Sequence, residues 1–232
     1  MKQLRTIFTA NQYYYWITFM CMLFCSLLLL GTTKAESFIS LNSFHSFWLN
    51  VFFVNYTFFG DGIFALGLCA FLFYRKQKKL ALLILVAYLS SGLITQVLKN
   101  LIYAPRPRIY FEASQYLFHL DNFDTSRGGA SSFPSGHTTS AFALATVLAV
   151  YFQKKYISSI LFIAAALVGY SRIYLAQHFP ADVVMGAFIG VSMATISCVL
   201  ANSKISIRLP KKSKSTATSQ WNNQQLPHTA IY

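Results

Sequence analysis

Three short strings hold the residues able to do chemistry. They are Lys99-Asn-Leu-Ile-Tyr-Ala-Pro-Arg106-Pro107, Pro134-Ser135-Gly136-His137, and Ser171-Arg172-Ile-Tyr-Leu-Ala-Gln-His178-Phe-Pro-Ala-Asp182. Together they supply the cations Lys99, Arg106 and Arg172, two histidines, the Asp182 carboxylate and a Ser-Gly turn. That inventory suits gripping a phosphate by charge and cleaving it through a histidine. The arginine fork matches phosphate oxygens, and phosphoryl transfer depends chiefly on positioning and charge stabilisation. In this reading Lys99, Arg106 and Arg172 surround the phosphate. Ser135 is an N-cap residue, and the N–H groups of Gly136 and His137 make an anion site at the helix's positive end. His178 attacks phosphorus and becomes a phosphohistidine. Asp182, four residues on, holds the useful tautomer. His137 protonates the departing oxygen and then activates water.

These residues sit among long apolar runs. The chain is 55% hydrophobic and 11% charged, with mean hydropathy +0.47. Soluble domains carry about 25% charged residues, so this is an expected membrane protein. A spanning helix needs about 20 apolar residues. Six segments qualify, near 13–33, 56–74, 80–101, 137–153, 156–176 and 182–201. The expected fold is all-α: a bundle of six transmembrane helices forming one domain over 1–201. A basic, polar tail over 202–232 has no apolar period and reads as disordered. Ala141, Ala145 and Ala149, and the Gly186-Ala-Phe-Ile-Gly190 pattern, suit close helix contact. Residues 34–55, amphipathic and aromatic, suit the outer interface. Lys2, Arg5, the apolar run to Leu30 and Thr33-Lys34-Ala35 also outline a cleavable signal. The long polar lead-in and poor cleavage site favour a retained helix.

Charge orients the bundle. With the N-terminus in the cytoplasm, thirteen Lys and Arg fall inside. They are Lys2, Arg5, Arg75, Lys76, Lys78, Lys79, Lys154, Lys155, Lys204, Arg208, Lys211, Lys212 and Lys214. All six acidic residues fall outside, with Lys34, Lys99, Arg106, Arg108, Arg127 and Arg172. The formal net charge of +13 is then wholly cytoplasmic, and no nucleic acid is needed to explain it. Both termini are cytoplasmic, and the three strings meet at the extracytoplasmic helix ends. Lys99 ends the third helix, Ser135 begins the fourth, Arg172 ends the fifth, and His178 precedes the sixth at Pro180.

The strings match, position by position, the three-part signature of the type-2 phosphatidic-acid phosphatase superfamily. The parts are Lys, six residues, Arg-Pro; Pro-Ser-Gly-His; and Ser-Arg, five residues, His, three residues, Asp. The chain thus resembles that family from Lys99 to Asp182, and the six-helix plan extends the likeness to about residue 200. The resemblance implies a metal-independent, vanadate-sensitive phosphatase that uses a phosphohistidine and no cofactor. It also implies a fold shared with vanadium haloperoxidases and residence in the bacterial inner or plasma membrane. The implied substrates are lipid phosphates: phosphatidic acid, phosphatidylglycerophosphate, undecaprenyl pyrophosphate or lipid A phosphates. Gly60-Asp61-Gly62 is also similar to the family, but Asp61 is not one of its motif ligands and receives no role.

Other readings weigh less. Glu112, His119, Asp121 and Asp124 are irregularly spaced and read as a solvated loop, not a metal site. Cys21, Cys25, Cys69 and Cys198 lie in apolar runs, without zinc or disulfide spacing. A lipid transporter or flippase would place ionisable residues near helix midpoints, and these helix interiors hold none. A phosphotransferase passing the phosphate to a lipid acceptor would use the same residues and stays open. The substrate's identity and the oligomeric state are not legible in the sequence.

Overall fold

The protein is described by a computed structural model covering residues 2–112 and 131–204. The loop residues His119, Asp121, Asp124 and Arg127 and the tail beyond residue 204 lie outside the described residues. The described residues are helical and include no strand. The order begins α1 (Lys2–Ala10), α2 (Gln12–Leu30), α3 (Lys34–Asn42), α4 (Phe47–Tyr56) and a 3-10 turn (Thr57–Gly60). It continues with α5 (Gly62–Tyr74), α6 (Lys78–Leu101), α7 (Pro107–Tyr110), α8 (Gly136–Phe152), α9 (Lys155–Tyr174) and α10 (Pro180–Lys204).

Four of the expected spans are helices long and apolar enough to cross a membrane: α2, α6, α9, and α10 as far as Ala201. The second expected span is built differently. The chain from Phe47 to Gly60 and α5 form one apolar pair bent by 56°. The break falls at Asp61, whose extended backbone (φ −76°, ψ 148°) leaves the helix and whose side chain accepts from the Ile63 N–H. A carboxylate cap starts a new helix there, so a single helix over 56–74 does not form. The interfacial stretch resolves into α3 and the strongly apolar α4. The fourth expected span, α8, has 17 residues and is the short one.

Helix α8 is central. It packs on α10, α9, α6 and the 3-10 turn, and burial reaches from Thr138 to Val150 along its length. Ala141, Ala145 and Ala149 are all buried, as close helix contact requires. Gly186 of α10 lies against the start of α8: a Cβ there would stand 2.6 Å from the Ser135 carbonyl oxygen. The aromatic and leucine side chains of α2 are exposed outward, Phe24 by 62% and Leu27 by 59%, a surface suited to hydrocarbon. Two hydroxyl pairs tie that helix to the bundle, Tyr14 to Thr146 and Tyr15 to Thr195, each at 3.0 Å.

Candidate active site

The chemistry-bearing strings meet at one end of the bundle, where α6 and α9 finish and α5, α8 and α10 begin. Direct contacts join them. The Ser135 N–H donates to the Asp182 carbonyl at 3.0 Å, seating the start of α8 on the start of α10. Lys99 Nζ donates to the Ser131 carbonyl at 3.0 Å. Arg106 Nη1 donates to Gln177 Oε1 at 2.6 Å, beside His178. Both the Gln177 and His178 N–H groups donate to the Arg172 carbonyl, at 2.9 and 3.1 Å.

This last pair shapes the turn between α9 and α10. Ala176 adopts φ 52°, a left-handed conformation that costs about 1–2 kcal/mol for a residue with a Cβ. The two bonds to Arg172 and the start of α10 at Pro180 hold it there. The turn delivers His178 into the interior, 3% exposed.

Around His178 the polar groups are matched. Asp182 Oδ2 lies 3.5 Å from His178 Nδ1 and accepts from the Phe179 N–H at 2.9 Å. It also accepts a hydrogen bond from the Ser132 hydroxyl, whose oxygen stands 3.3 Å from His178 Nδ1. Ser132 has one proton, and it is engaged in donating to Asp182. The Ser132 oxygen can therefore only accept from the ring, which assigns the ring proton to Nδ1. Nε2 is left with its lone pair. Burial pushes the His178 pKa down to about 4; the Asp182 bond opposes this, and the positive charge of Arg172 adds to it. The ring is neutral at pH 7.

The cations press on this centre. Arg172 is buried, with Nη1 donating to Thr57 Oγ1 at 2.6 Å and Nε buried without a hydrogen-bond partner. This buried guanidinium N–H can donate to an acceptor such as a phosphate oxygen. His137 is subject to the charges of Arg172, Arg106 and His178, and its Nε2 lies 3.8 Å from Asp61 Oδ2. Gly136 and His137 occupy the first turn of α8, where a helix leaves its N–H groups without intrahelical partners. Ser135 does hold the N-cap position, but its side chain makes no capping bond. It pairs with the Thr138 hydroxyl at 2.9 Å instead, so the helix start keeps its N–H groups for another acceptor.

All eight residues singled out in the sequence thus belong to one connected cluster. Four partners escaped the sequence reading: Ser132, Gln177, Thr57 and Asp61. Ser132 and Gln177 adjoin motif residues but match no spacing rule. Thr57 lies 115 residues from the Arg172 it meets, and no local pattern signals such a pair. Asp61 was noticed but had no partner to interpret it. Among the described residues, no three His, Cys, Asp or Glu side chains group as metal ligands would.

The sequence profile of the PAP2 superfamily matches residues 80–205, more than half of the chain and all of the cluster except Thr57 and Asp61. A lipid A 4'-phosphatase of Porphyromonas gingivalis is 34% identical over 134 residues, covering 56% of each protein. The chain thus spans little more than half the length of that relative. The crystal structure of Aquifex aeolicus LpxE superposes with TM-score 0.60 at 36% identity, over 70% of this chain and 93% of that one. The transmembrane PAP2-type phosphatidylglycerolphosphate phosphatase of Bacillus subtilis gives TM-score 0.61 at 25% identity, over 83% and 98%.

Proposed function

Because the chain belongs to the PAP2 superfamily, we propose that it is an integral-membrane lipid phosphatase working through His178. The observation that carries this reading is the buried His178–Ser132–Asp182 cluster beside the unmatched Nε of Arg172. His178 Nε2 attacks phosphorus while the bond to the leaving oxygen breaks. His137 gives that oxygen its proton. Lys99, Arg106, Arg172 and the N–H groups of Gly136 and His137 hold the equatorial oxygens as charge spreads over them. Water then attacks the phosphohistidine, His137 takes its proton, and the P–N bond breaks to release phosphate. By analogy with oxyanion-hole donors, each cation is worth about 10²–10³ in rate.

The substrate is a lipid phosphate or lipid pyrophosphate: a lipid A phosphate, phosphatidylglycerophosphate, undecaprenyl pyrophosphate or phosphatidic acid. The four long apolar helices, the bent Phe47–Tyr74 pair and α8 make six crossings. At 1.5 Å per residue α8 spans about 25 Å, less than a bilayer core of about 30 Å. Enclosed by its neighbours, it need not match the lipid. The inward bias of Lys and Arg puts both termini in the cytoplasm and the active site on the extracytoplasmic face. Residues 1–201 act as the catalytic domain and 202–232 as a cytoplasmic tail.

The test is phosphate release by the detergent-purified protein from a panel of lipid phosphates, with excess chelator present. Activity that His178→Ala abolishes, and that orthovanadate inhibits, is the expected result. Full activity in the alanine variant ends the mechanism.

A further inference from the structure

Each histidine at the site faces a carboxylate, and the two pairs differ. His178 and Asp182 are sealed, their side chains each 3% exposed. His137 and Asp61 are half open, 31% and 39% exposed, with 3.8 Å between Nε2 and Oδ2. That is ion-pair range and longer than a hydrogen bond. The sealed pair suits a fixed nucleophile; the open pair suits a group that must gain and lose a proton.

The surroundings of His137 give Asp61 its importance. Arg172 from the end of α9, Arg106 before α7 and His178 from the turn before α10 all bear on the ring with positive charge, actual or incipient. Among the described residues, Asp61 is the only carboxylate among the charges acting on it. A general acid must be protonated when the leaving oxygen departs. A carboxylate 3.8 Å from the ring supports the imidazolium beside these cations.

The chain is built to bring Asp61 there. Gly60 lies against His137: a Cβ at that position would stand 2.8 Å from the His137 carbonyl oxygen and 2.6 Å from Val168 Cγ1. A side chain would push the turn away. Asp61 itself is held by its cap, Oδ1 accepting from the Ile63 N–H at 2.9 Å, which leaves Oδ2 toward the imidazole. The same 3-10 turn supplies Thr57, the partner of Arg172. The turn over Thr57–Asp61, outside the three signature strings, thus braces two site residues.

We propose that Asp61 is a positioning residue for the proton-transfer step, orienting His137 and stabilising its protonated form. The inference rests on the proposed role of His137. When the leaving-oxygen bond breaks, the proton passes from His137 to that oxygen. It returns to His137 from the attacking water in the second step. Asp61 keeps its charge throughout and bonds to no reacting atom.

The test compares Asp61→Asn with the unaltered protein on two phosphates. Asparagine keeps an oxygen for the cap to Ile63 and removes only the charge. Phosphatidic acid has an alkyl leaving group that needs a proton. p-Nitrophenyl phosphate has a leaving group stable as an anion. The expected result is a loss of about 10- to 100-fold in kcat/KM on phosphatidic acid, a part of the 10²–10⁴ that general acid–base catalysis contributes. The ratio of aryl to alkyl activity should rise at least about fivefold, and the basic limb of the kcat profile should move to lower pH. Asp61→Glu should restore part of the loss. Asp61→Ser, which also retains a cap oxygen, repeats the test should the amide variant fold poorly, with thermal unfolding in detergent as the check. His137→Ala is the reference. If it loses phosphatidic acid activity while Asp61→Asn keeps both the ratio and the pH profile of the unaltered protein, Asp61 has no such role. If His137→Ala stays fully active, the general-acid reading fails and this inference with it.

Discussion

Replacing Ser132 with alanine isolates the link between His178, the proposed nucleophile, and Asp182. Ser132 is completely buried, and its hydroxyl donates to Asp182 Oδ2 while facing His178 Nδ1 at 3.3 Å. Without it Asp182 keeps the Phe179 N–H at 2.9 Å and a longer approach of 3.5 Å from the ring. The carboxylate stays solvated by the protein, so the fold survives, but His178 loses the acceptor that fixes its tautomer. A hydrogen bond to a charged group is worth about 1.5–3 kcal/mol. If that loss falls on the transition state, kcat drops about 10- to 150-fold. KM should change little, because Ser132 is not among the phosphate-binding groups. The assay is phosphate release from phosphatidic acid in mixed micelles with chelator, together with thermal unfolding of the same sample. A folded Ser132→Ala protein with unaltered kcat would refute the argument that this hydroxyl orients the nucleophile.

Two further outcomes follow from the site and its packing. The His178 pKa of about 4, lowered chiefly by burial, keeps the ring neutral through the physiological range; kcat/KM should fall along its acid limb only as pH drops through about 4. The unfolded chain, at its ordinary 6.5, binds that proton more readily, so the stability contribution of this group is full above pH 6.5 and is lost as pH falls toward 4. Acid denaturation followed by intrinsic fluorescence, with His178→Gln as the comparison, checks the sign. Gly186→Ala would press a methyl to within 2.6 Å of the Ser135 carbonyl. Overpacking of this kind costs about 1–3 kcal/mol, and the melting temperature and phosphatase activity should fall together; an unchanged melting temperature would show that α10 can shift aside.

Much of the chemistry could be read without coordinates. Lys99, Arg106, Arg172, His137, His178 and Asp182 have side-chain chemistry that apolar helices otherwise exclude, so their types and order alone marked them. The helices were legible for a similar reason: the long apolar runs of α2, α6, α9 and α10 must satisfy their own backbone groups. The bend at Asp61 was not legible, because a single carboxylate cap interrupts an apolar run without altering its hydropathy. Nor was the short α8 legible as the central helix. Its length gives no hint that its Thr and Ala faces would be enclosed by neighbouring elements on several sides.

The amino-acid sequence by itself determined which reactive groups the protein owns, because composition and spacing act locally along the chain. Only the tertiary structure decided their partners. Ser132 with Asp182, Thr57 with Arg172 and Asp61 with His137 are 50, 115 and 76 residues apart. The meeting of such pairs depends on how whole helices pack, a property of shape complementarity that no local pattern encodes.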